Sequence, residues 1–267
     1  MTKIIFLHHS TGRCIWVGET NELAVKLGRK GAVQRIFDDY NRKNNTEYII
    51  TDQAFPKKEP YGWKNYPYDY YNIWVKNGGG ESFMGEPTLE YLTREYDVII
   101  FKHCFPVSRI LEDKGVPDID SEEKRIENYK LQYNSLKRKM HSFPNTQFIL
   151  WTPPALVKDQ TTPGQAMRTF EFYRWMLDEW KEDGDNINIW DFYNYETEGG
   201  LYMKEEFASG TGDSHPNKTF SERIAPLFSQ FIIEVIESVK VEKKQLNGNG
   251  YQEYISTHPV GNTQEIE

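Results

Sequence analysis

The sequence predicts an α/β fold with three layers, in which helices cover both faces of a central parallel sheet. Short apolar runs recur along the chain, and amphipathic helical segments separate most of them. Strands that are buried on both faces are apolar throughout, and their alternation with helices is typical of a parallel sheet. The chain has 267 residues, which is long enough for one large domain of this kind with a complete core.

Five apolar runs are the predicted strands, and turn-forming or charged residues bound them. They occupy residues 3–7, 48–51, 97–101, 147–151 and 187–191. The first run stops at a His-His-Ser-Thr-Gly segment, and the fourth stops at two prolines that begin at Pro153. We therefore expect short buried strands that end in turns.

Helical segments with apolar residues on one face fill most intervals between the strands. They are predicted at residues 19–43, 121–142, 163–182 and 219–239. Pro226 must begin, end or kink a helix in the last of these segments. Residues 52–87 show no clear periodicity and are rich in Pro, Gly and aromatic residues, which predicts an ordered loop beside a cleft and allows a short helix within it.

No linker interrupts the chain before about residue 240, so residues 1–240 are predicted to form one domain. Residues 241–267 are polar and offer few apolar anchors, which predicts a C-terminal tail. The first residues enter an apolar strand without a signal-peptide pattern, and a cytoplasmic location is expected. No apolar run has the length needed to span a bilayer, so no membrane partner is expected.

Charge and cysteine content argue against two further classes of protein. The net charge is −8, so the chain gains nothing from counterion release on a nucleic acid, and a nucleic-acid partner is disfavoured. The sequence does not indicate an oligomeric state. Cys14 and Cys104 are isolated thiols, which match neither a disulfide framework nor a zinc cluster. Both are expected to be reduced and mostly structural.

Ligands of open parallel α/β sheets bind at the carboxyl ends of the strands. Three segments follow predicted strands, and one further loop precedes the last helix. These segments are residues 8–12, 102–108, 152–154 and 210–217. The chemistry is therefore expected to lie among them.

Ser10 lies in the turn after the first predicted strand and is followed closely by Gly12. In such a turn a serine projects its hydroxyl above the sheet, while nearby backbone N–H groups remain free to bind an oxyanion. A serine that caps the N-terminus of a helix has the same local pattern. Both interpretations of Ser10 remain open from the residues alone.

His215 lies in a loop with glycine, aspartate and proline, where a core position is not expected. A histidine there can accept a proton from the serine and return it to the leaving group. Asp213, two residues earlier, is placed to orient the ring. The alternative is a turn with a histidine that faces solvent.

Together, residues 6–12 (FLHHSTG) and residues 212–217 (GDSHPN) resemble two motifs of the SGNH/GDSL hydrolase superfamily. In that family a nucleophilic serine follows the first strand, and an Asp–His pair precedes the last helix. The strand order and chain length also agree, so the resemblance covers about residues 3–238. It implies a flavodoxin-like three-layer architecture and the catalytic set Ser10, Asp213 and His215.

Both motifs depart from the family pattern. His8 and His9 stand where the family has glycine and aspartate before the serine. One residue, Ser214, separates Asp213 from His215, where the family has two. The acid is therefore expected to act through a shortened loop or to be supplied elsewhere.

The segment after the third predicted strand lacks the asparagine that donates to the oxyanion in that family. It reads Lys102-His103-Cys104, and Lys102, His103 or a backbone amide is expected to take the place of the asparagine. The alternative for His103 is a polar residue that closes a strand. The backbone N–H of Ser10 is the most secure donor. Three other residues are also assigned to oxyanion or substrate binding, namely His9, Gly12 and Gly79.

A metal site is a further alternative. His9, His103, Asp213 and His215 offer nitrogen and oxygen ligands, but no short ligand-spacing motif supports such a site. His8 and His9 are adjacent at a strand end, so their side chains are expected to point to opposite faces. No metal and no organic cofactor are expected.

The expected activity is serine-dependent hydrolysis of an ester, on a small-molecule or carbohydrate substrate. The resemblance points to a carbohydrate O-acyl (acetyl) esterase, and the aromatic residues 61–74 would suit a sugar surface. The missing asparagine and the short Asp–His spacing favour the alternative, a catalytically inactive binding protein on the same scaffold. A nucleotide-binding protein is a third possibility, but residues 78–80 lack the preceding strand of a phosphate-binding fingerprint.

Overall fold

The structure, a computed structural model, describes residues 1–20, 22–57 and 64–257. The chain divides into two compact units, residues 1–229 and residues 230–267. The described part of the second unit continues the last helix, as far as Thr257. The domain end predicted at residue 240 lies within that helix, and residues 258–267 of the predicted tail lie outside the described residues.

Five parallel strands form the central sheet of the first unit, which confirms the predicted α/β fold and all five predicted strands. They are β1 (Thr2–His8), β2 (Tyr48–Ala54), β5 (Val98–Phe101), β6 (Gln147–Trp151) and β7 (Ile187–Trp190), in the order β2-β1-β5-β6-β7. Two short antiparallel hairpins lie outside this sheet. They are β3 (Ser82–Phe83) with β4 (Glu86–Pro87), and β8 (Ala208–Gly210) with β9 (Asp213–Pro216).

Helices occupy most of the connections. They are α1 (Ser10–Val17), α2 (Glu22–Lys26), α3 (Ala32–Asn44), α4 (Pro67–Tyr70), α5 (Leu89–Glu95), α6 (Ile126–His141), α7 (Pro163–Trp175), α8 (Phe192–Thr197) and α9 (Lys218–Thr257). π-helical turns follow two of them, at Tyr71–Lys76 and Met176–Trp180. Short 3-10 turns lie at Phe105–Ser108, Lys158–Gln160 and Glu205–Phe207.

The helix predicted over residues 19–43 is wrong, because the structure has two helices there. Gly28 has a φ of 93°, which ends the first of them. Gly31 lies against α1, where an added Cβ would stand 2.5 Å from the carbonyl oxygen of Trp16. The region predicted as a loop over residues 52–87 contains the short helix that the prediction allowed, α4, and also a π-helical turn and the β3–β4 hairpin. Pro226 lies inside α9, not at either end.

Side chains from one face of the sheet build a core with α5, α6 and α7. Ile5, Ile99 and Phe148 come from successive neighbouring strands and are fully or almost fully buried in it. The segment at 66–74 contributes buried aromatic rings to the same core. This face of the sheet is therefore covered by α5, α6 and α7 and by the segment at 66–74.

The opposite face of the sheet packs on α1 and the beginning of α9. The ring of Phe6 stacks on Trp151, with centroids 5.2 Å apart, and touches Phe228 of α9 at 5.1 Å. Trp16 of α1 lies 6.4 Å from the same ring. Because neighbouring residues of a strand point to opposite faces, helices cover both sides of the sheet.

The chain changes direction between β1 and β5. It leaves β1 for β2 on one side, then crosses to add β5, β6 and β7 on the other. The crevice outside the carboxyl ends of strands at such a reversal is the usual ligand site of an open α/β sheet. The residues that follow β1 and β5 therefore line the position where a ligand is expected.

None of the described helices combines the length and the apolar character that crossing a membrane requires.

Candidate active site

Ser10 is the first residue of α1, directly beyond the carboxyl end of β1. His9 occupies the N-cap position in an extended conformation, with φ −129° and ψ −178°. The Ser10 hydroxyl does not cap the helix, since its hydrogen bond is to Cys104, at 3.4 Å between Oγ and Sγ. The N-cap interpretation of Ser10 is therefore wrong. The backbone N–H of Ser10, at the first position of α1, has no intrahelical acceptor, so Ser10 begins a ready site for negative charge.

Gly12 packs against a histidine instead of lining the oxyanion site. A Cβ added to Gly12 would lie 2.6 Å from Cβ of His8, because the first turn of α1 passes directly over that side chain. The Gly12 N–H also donates to the carbonyl oxygen of His9, at 2.8 Å. Because this N–H already has an acceptor, it is not available to an oxyanion. The assignment of Gly12 to oxyanion binding is therefore corrected.

His8 lies on the α1 side of the sheet, with its ring 4.3 Å from that of Phe6. Its Nε2 lies 3.3 Å from Oδ2 of Asp52, and Arg13 donates to the same carboxylate oxygen at 3.1 Å. Burial lowers the pKa of His8, although the Asp52 carboxylate acts in the opposite direction. His8 is therefore a neutral, buried support for the turn that carries Ser10.

His9 points away from His8, as expected for adjacent residues at a strand end. Its ring Nε2 donates to the carbonyl oxygen of Pro56, in the segment that follows β2. Burial lowers the pKa of His9 to about 4, and the positive charge of Lys102 contributes to this shift. His9 is thus a neutral ring that joins the ends of two neighbouring strands.

Lys102 and His103 follow β5 and point to opposite faces. The Lys102 side chain is buried and its Nζ donates to Cys104 Sγ at 3.5 Å. The ring of His103 is enclosed in the aromatic core, 4.6 Å from Tyr70 and 5.6 Å from Tyr133. Burial, together with the charge of Lys102, lowers the pKa of His103 to about 3. This position favours the structural alternative for His103 over a role beside Ser10.

Asn65 fixes the segment after β5 in place. Its Oδ1 accepts the backbone N–H of Cys104 at 2.8 Å, and its Nδ2 donates to the carbonyl oxygen of Phe55 at 2.6 Å. Asn65 has a φ of 44°, a conformation that asparagine adopts more readily than most residues. Its own backbone N–H donates to the carboxylate of Asp69. The position of Cys104 beside Ser10 therefore depends on this loop.

Asp213 and His215 lie on the β8–β9 hairpin. Asp213 Oδ1 accepts both the backbone N–H of His215, at 2.9 Å, and its ring Nδ1–H, at 2.6 Å. These hydrogen bonds lower the pKa of Asp213, so the acid is ionised. Ser214 points the other way and accepts the backbone N–H of Val157 at 3.0 Å. The shortened spacing thus allows the carboxylate to hold the ring.

Asn217, the last residue of the second motif, anchors the hairpin to the start of α9. Its Nδ2 donates to the carbonyl oxygen of Glu206 at 2.7 Å, and its Oδ1 accepts the backbone N–H of Phe220 at 2.9 Å. An asparagine that accepts from the third N–H of a helix is a typical N-cap. The motif therefore joins a local acid–histidine pair to a firmly placed helix start.

Two halves of the site meet at consecutive residues after β5. Ser10 contacts Cys104, and the ring of His215 packs edge-on against Phe105, with centroids 4.8 Å apart. The helix α1 also packs against β9. In the described part of the chain, the Ser10 hydroxyl is hydrogen-bonded to Cys104 and not to His215. The structure thus brings both residues to one place without a hydrogen bond between them.

Gly79 does not join this place. Its backbone N–H donates to the carboxylate of Glu90, which also pairs with Lys139 in the last turn of α6. That turn leads towards the amino end of β6, whereas Ser10 lies at the carboxyl ends of the strands. The assignment of Gly79 to oxyanion binding is therefore corrected, because its N–H already has an acceptor elsewhere.

Metal-ligating side chains come together at one place in the described residues, away from Ser10. His141, Glu182 and Asp185 offer ligand atoms within 4.8 Å of one another. His141 Nε2 lies 2.9 Å from Asp185 Oδ2, so the pair satisfies itself. The set of histidines and Asp213 considered from the sequence does not form such a group among the described residues.

Two buried polar residues at this end of the sheet were not identified from the sequence. Asn65 carried a weak signal, because asparagine favours turn conformations. Glu196 in α8 is fully buried, and its Oε2 accepts the backbone N–H of Ala155 at 2.7 Å. A glutamate among aromatic residues gives no sequence signal for burial, since charged side chains are expected at the surface.

Comparisons with known proteins give a likeness of chain path. No protein-family model and no curated protein matches the sequence. Among solved structures, a lipase/acylhydrolase from Enterococcus faecalis is 12% identical, with 87% of this chain and 95% of that chain covered and a TM-score of 0.49. A family two carbohydrate esterase from Cellvibrio japonicus is 12% identical, with 89% and 62% covered and a TM-score of 0.40. A gut microbial diltiazem-metabolizing enzyme is 13% identical, with 86% and 46% covered and a TM-score of 0.48.

Proposed function

We propose that this chain is a serine-dependent hydrolase that cleaves ester bonds, with Ser10 as nucleophile and His215 as base. The observation that carries the proposal is the meeting of two independent features after β5, where Ser10 contacts Cys104 and His215 packs on Phe105. Ser10 begins a helix at the sheet edge where ligands of parallel α/β proteins bind. His215 comes from a segment far along the chain, and its ring is hydrogen-bonded to the ionised carboxylate of Asp213.

In the proposed reaction, Ser10 Oγ attacks the ester carbonyl carbon while His215 Nε2 takes the hydroxyl proton. The π electron pair of the carbonyl moves to its oxygen, and the resulting oxyanion lies near the backbone N–H of Ser10, the first residue of α1. When the carbonyl re-forms, the bond to the alcohol oxygen breaks and the alcohol leaves with the proton from His215. Water then repeats the attack, and the acid is released as Ser10 regains its proton.

Asp213 orients the ring of His215 in this proposal. In a neutral imidazole one nitrogen donates and the other accepts, so an Nδ1–H bond to Asp213 leaves Nε2 as the proton acceptor. The carboxylate also stabilises the imidazolium that forms during attack. A hydrogen bond from the backbone N–H of His215 keeps the carboxylate in place, which supports the role despite the short spacing.

The reaction requires the Ser10 hydroxyl to exchange its hydrogen bond with Cys104 for one with His215. A rotation about the Cα–Cβ bond of serine changes the partner of the hydroxyl. In many enzymes the bond between nucleophile and base tightens only when substrate is bound. The hydrogen bond of Ser10 to Cys104 is therefore compatible with the proposed role.

The proposed substrates are small-molecule or carbohydrate esters, with acetylated sugars as the first candidates. The two motifs that resemble acyl hydrolases support this choice. The expected sugar surface at residues 61–74 does not, because Tyr66, Tyr70 and Trp74 are buried in the core. Residues 61–63 lie outside the described residues.

Hydrolysis of 4-nitrophenyl acetate and release of acetate from acetylated sugars test the proposal. We expect turnover by the wild type, and a loss of kcat/KM of at least about 1,000-fold in both Ser10→Ala and His215→Ala. The matched control is Ser82→Ala, which removes an exposed hydroxyl from the β3 hairpin. Turnover by Ser10→Ala at the wild-type rate would contradict the proposal.

A binding protein without catalysis is the second candidate function. The observation that favours it is the hydrogen bond that holds the Ser10 hydroxyl on Cys104, away from His215. This candidate predicts that the wild type hydrolyses neither ester but binds acetylated sugars in a titration by calorimetry. Measured turnover that disappears in Ser10→Ala would exclude it.

A further inference from the structure

Lys102 is a buried cation without a carboxylate partner. Its side chain is 1% exposed, and its Nζ donates to the thiol of Cys104 at 3.5 Å. In the described part of the chain it forms no ion pair. A thiol is a weak acceptor, and a buried charge without a partner is costly. An anion placed beside the ammonium would relieve this cost.

The surroundings of Lys102 do not neutralise it. Lys102 acts electrostatically on a buried acid, Glu196. The Oε1 atom of Glu196 has no hydrogen-bond partner among the described residues. Burial raises the pKa of Glu196 well above its ordinary value, against the opposing effects of the Ala155 N–H and Lys102. Burial thus opposes ionisation of Glu196, and in the described part of the chain Glu196 forms no ion pair with Lys102.

The histidines close to Lys102 do not supply positive charge. Burial lowers the pKa of His8, His9 and His103, and the charge of Lys102 adds to each shift. All three are neutral near pH 7. Lys102 is therefore a buried cation whose neighbouring histidines are neutral, among the residues that the structure describes at this end of the sheet.

The position of Lys102 connects its charge to the nucleophile. It follows β5, the strand next to β1, at the crevice where the chain reverses its direction. The Cys104 thiol touches Lys102 Nζ on one side and Ser10 Oγ on the other. One sulfur atom thus separates the ammonium from the hydroxyl that would attack the substrate.

We propose that Lys102 is a catalytic residue whose ammonium stabilises the oxyanion formed when Ser10 attacks an ester carbonyl. This inference rests on the proposed hydrolase function. The carbonyl π electrons move to the oxygen, and the new negative charge is held beside the ammonium by charge attraction and a hydrogen bond. When the carbonyl re-forms and the alcohol leaves, the negative charge is lost and Lys102 returns to its initial state.

This role predicts opposite effects of one substitution on activity and on stability. Lys102→Met retains the length and apolar stem of the side chain but removes the charge. Removing a buried, unpaired charge is not expected to destabilise a protein, so the thermal midpoint should stay equal or rise by about 2–5 °C. Removing a preformed donor to an oxyanion should lower kcat by about 100- to 1,000-fold with little change in KM.

The test compares wild type, Lys102→Met, Lys102→Arg and the control Lys43→Met. Lys43 is exposed on α3, so its substitution makes the same charge change at the surface and should alter neither quantity. Lys102→Arg keeps the charge and should retain more kcat than Lys102→Met. The readouts are kcat and KM for 4-nitrophenyl acetate and the thermal midpoint of the protein without substrate.

A Lys102→Met protein that keeps kcat within about threefold of wild type would overturn the inference while the hydrolase proposal stands. A Lys102→Met protein that does not fold, or melts well below wild type, would also overturn it, because the charge would then be structural. Absence of turnover in the wild type would instead mark a failure of the proposed function. The thermal midpoints would then still show whether the charge is a structural need.

Discussion

The two halves of the candidate site are built in different ways. Ser10 and Lys102 lie in the buried half, at the ends of adjacent parallel strands, where contacts from distant parts of the chain position them. Asp213 and His215 form the hairpin half, in which side chains are 49% and 37% exposed. The position of the His215 ring depends on hydrogen bonds to the carboxylate of Asp213, two residues earlier in the same hairpin.

Because the two halves differ in burial, substitutions in them are expected to affect activity and stability to different extents. A substitution in the hairpin half breaks local hydrogen bonds in contact with water, so it should change activity while the fold persists. A substitution that adds atoms to the buried half, such as one at Gly12 against His8, disturbs close packing, so it should alter folding first. A substitution that removes the hydroxyl of Ser10 or the charge of Lys102 should instead lower activity while the fold persists.

Asp213→Asn should reduce kcat/KM for an aryl ester by about 100- to 10,000-fold, with a thermal midpoint close to wild type. The amide no longer stabilises the imidazolium and favours the wrong tautomer of His215. Asp183→Asn is the control, since Asp183 is an exposed acid outside the site. If Asp213→Asn kept more than half of the activity, the hairpin half would not take part in the chemistry.

Gly12→Ala should destabilise the protein by about 1–3 kcal/mol in denaturant unfolding, because its Cβ would overlap Cβ of His8. Gly80→Ala is the matched control, since a Cβ there meets nothing within 4 Å. Equal stability of the two variants would show that α1 shifts freely over His8. The buried half would then be less rigid than its contacts indicate.

The sequence was sufficient for the features that depend on local patterns. Apolar runs predicted the five strands, and the second motif predicted Asp213 beside His215, whose bond is formed within one hairpin. The placement of Ser10 at the end of β1 also followed from one local segment.

The rest depends on contacts between distant segments. The sequence left Lys102 and His103 as equal candidates, and their orientations are set by the register of β5 in the sheet. The need for Gly12 arises from a packing contact. Asn65 accepts a hydrogen bond from Cys104, which lies 39 residues further along the chain. Apolar and polar patterning along one chain does not encode such pairings.

Asp69 allows a pH-dependent test of the loop that supports the buried half, because its carboxylate accepts the backbone N–H of Asn65. Burial raises its pKa to about 7, against hydrogen bonds from the backbone N–H groups of Tyr66 and Asn65. The unfolded carboxyl ionises near its ordinary pKa of about 4, so stability should fall as pH rises between about 4 and 7 and then level off.

Asp69→Asn should remove that dependence and leave the variant more stable than wild type at pH 8 by about 1–2 kcal/mol, with a smaller gain at pH 5. Denaturant unfolding at both values measures the effect. An equal change at pH 5 and pH 8 would mean that the carboxyl of Asp69 is not held in its neutral form by burial.

Covalent labelling with a fluorophosphonate tests whether Ser10 is the nucleophile. We expect one adduct per chain, located by mass spectrometry on the peptide that contains Ser10, and much slower labelling in His215→Ala. An adduct on Cys104, or an active wild type that takes no label at Ser10, would contradict it.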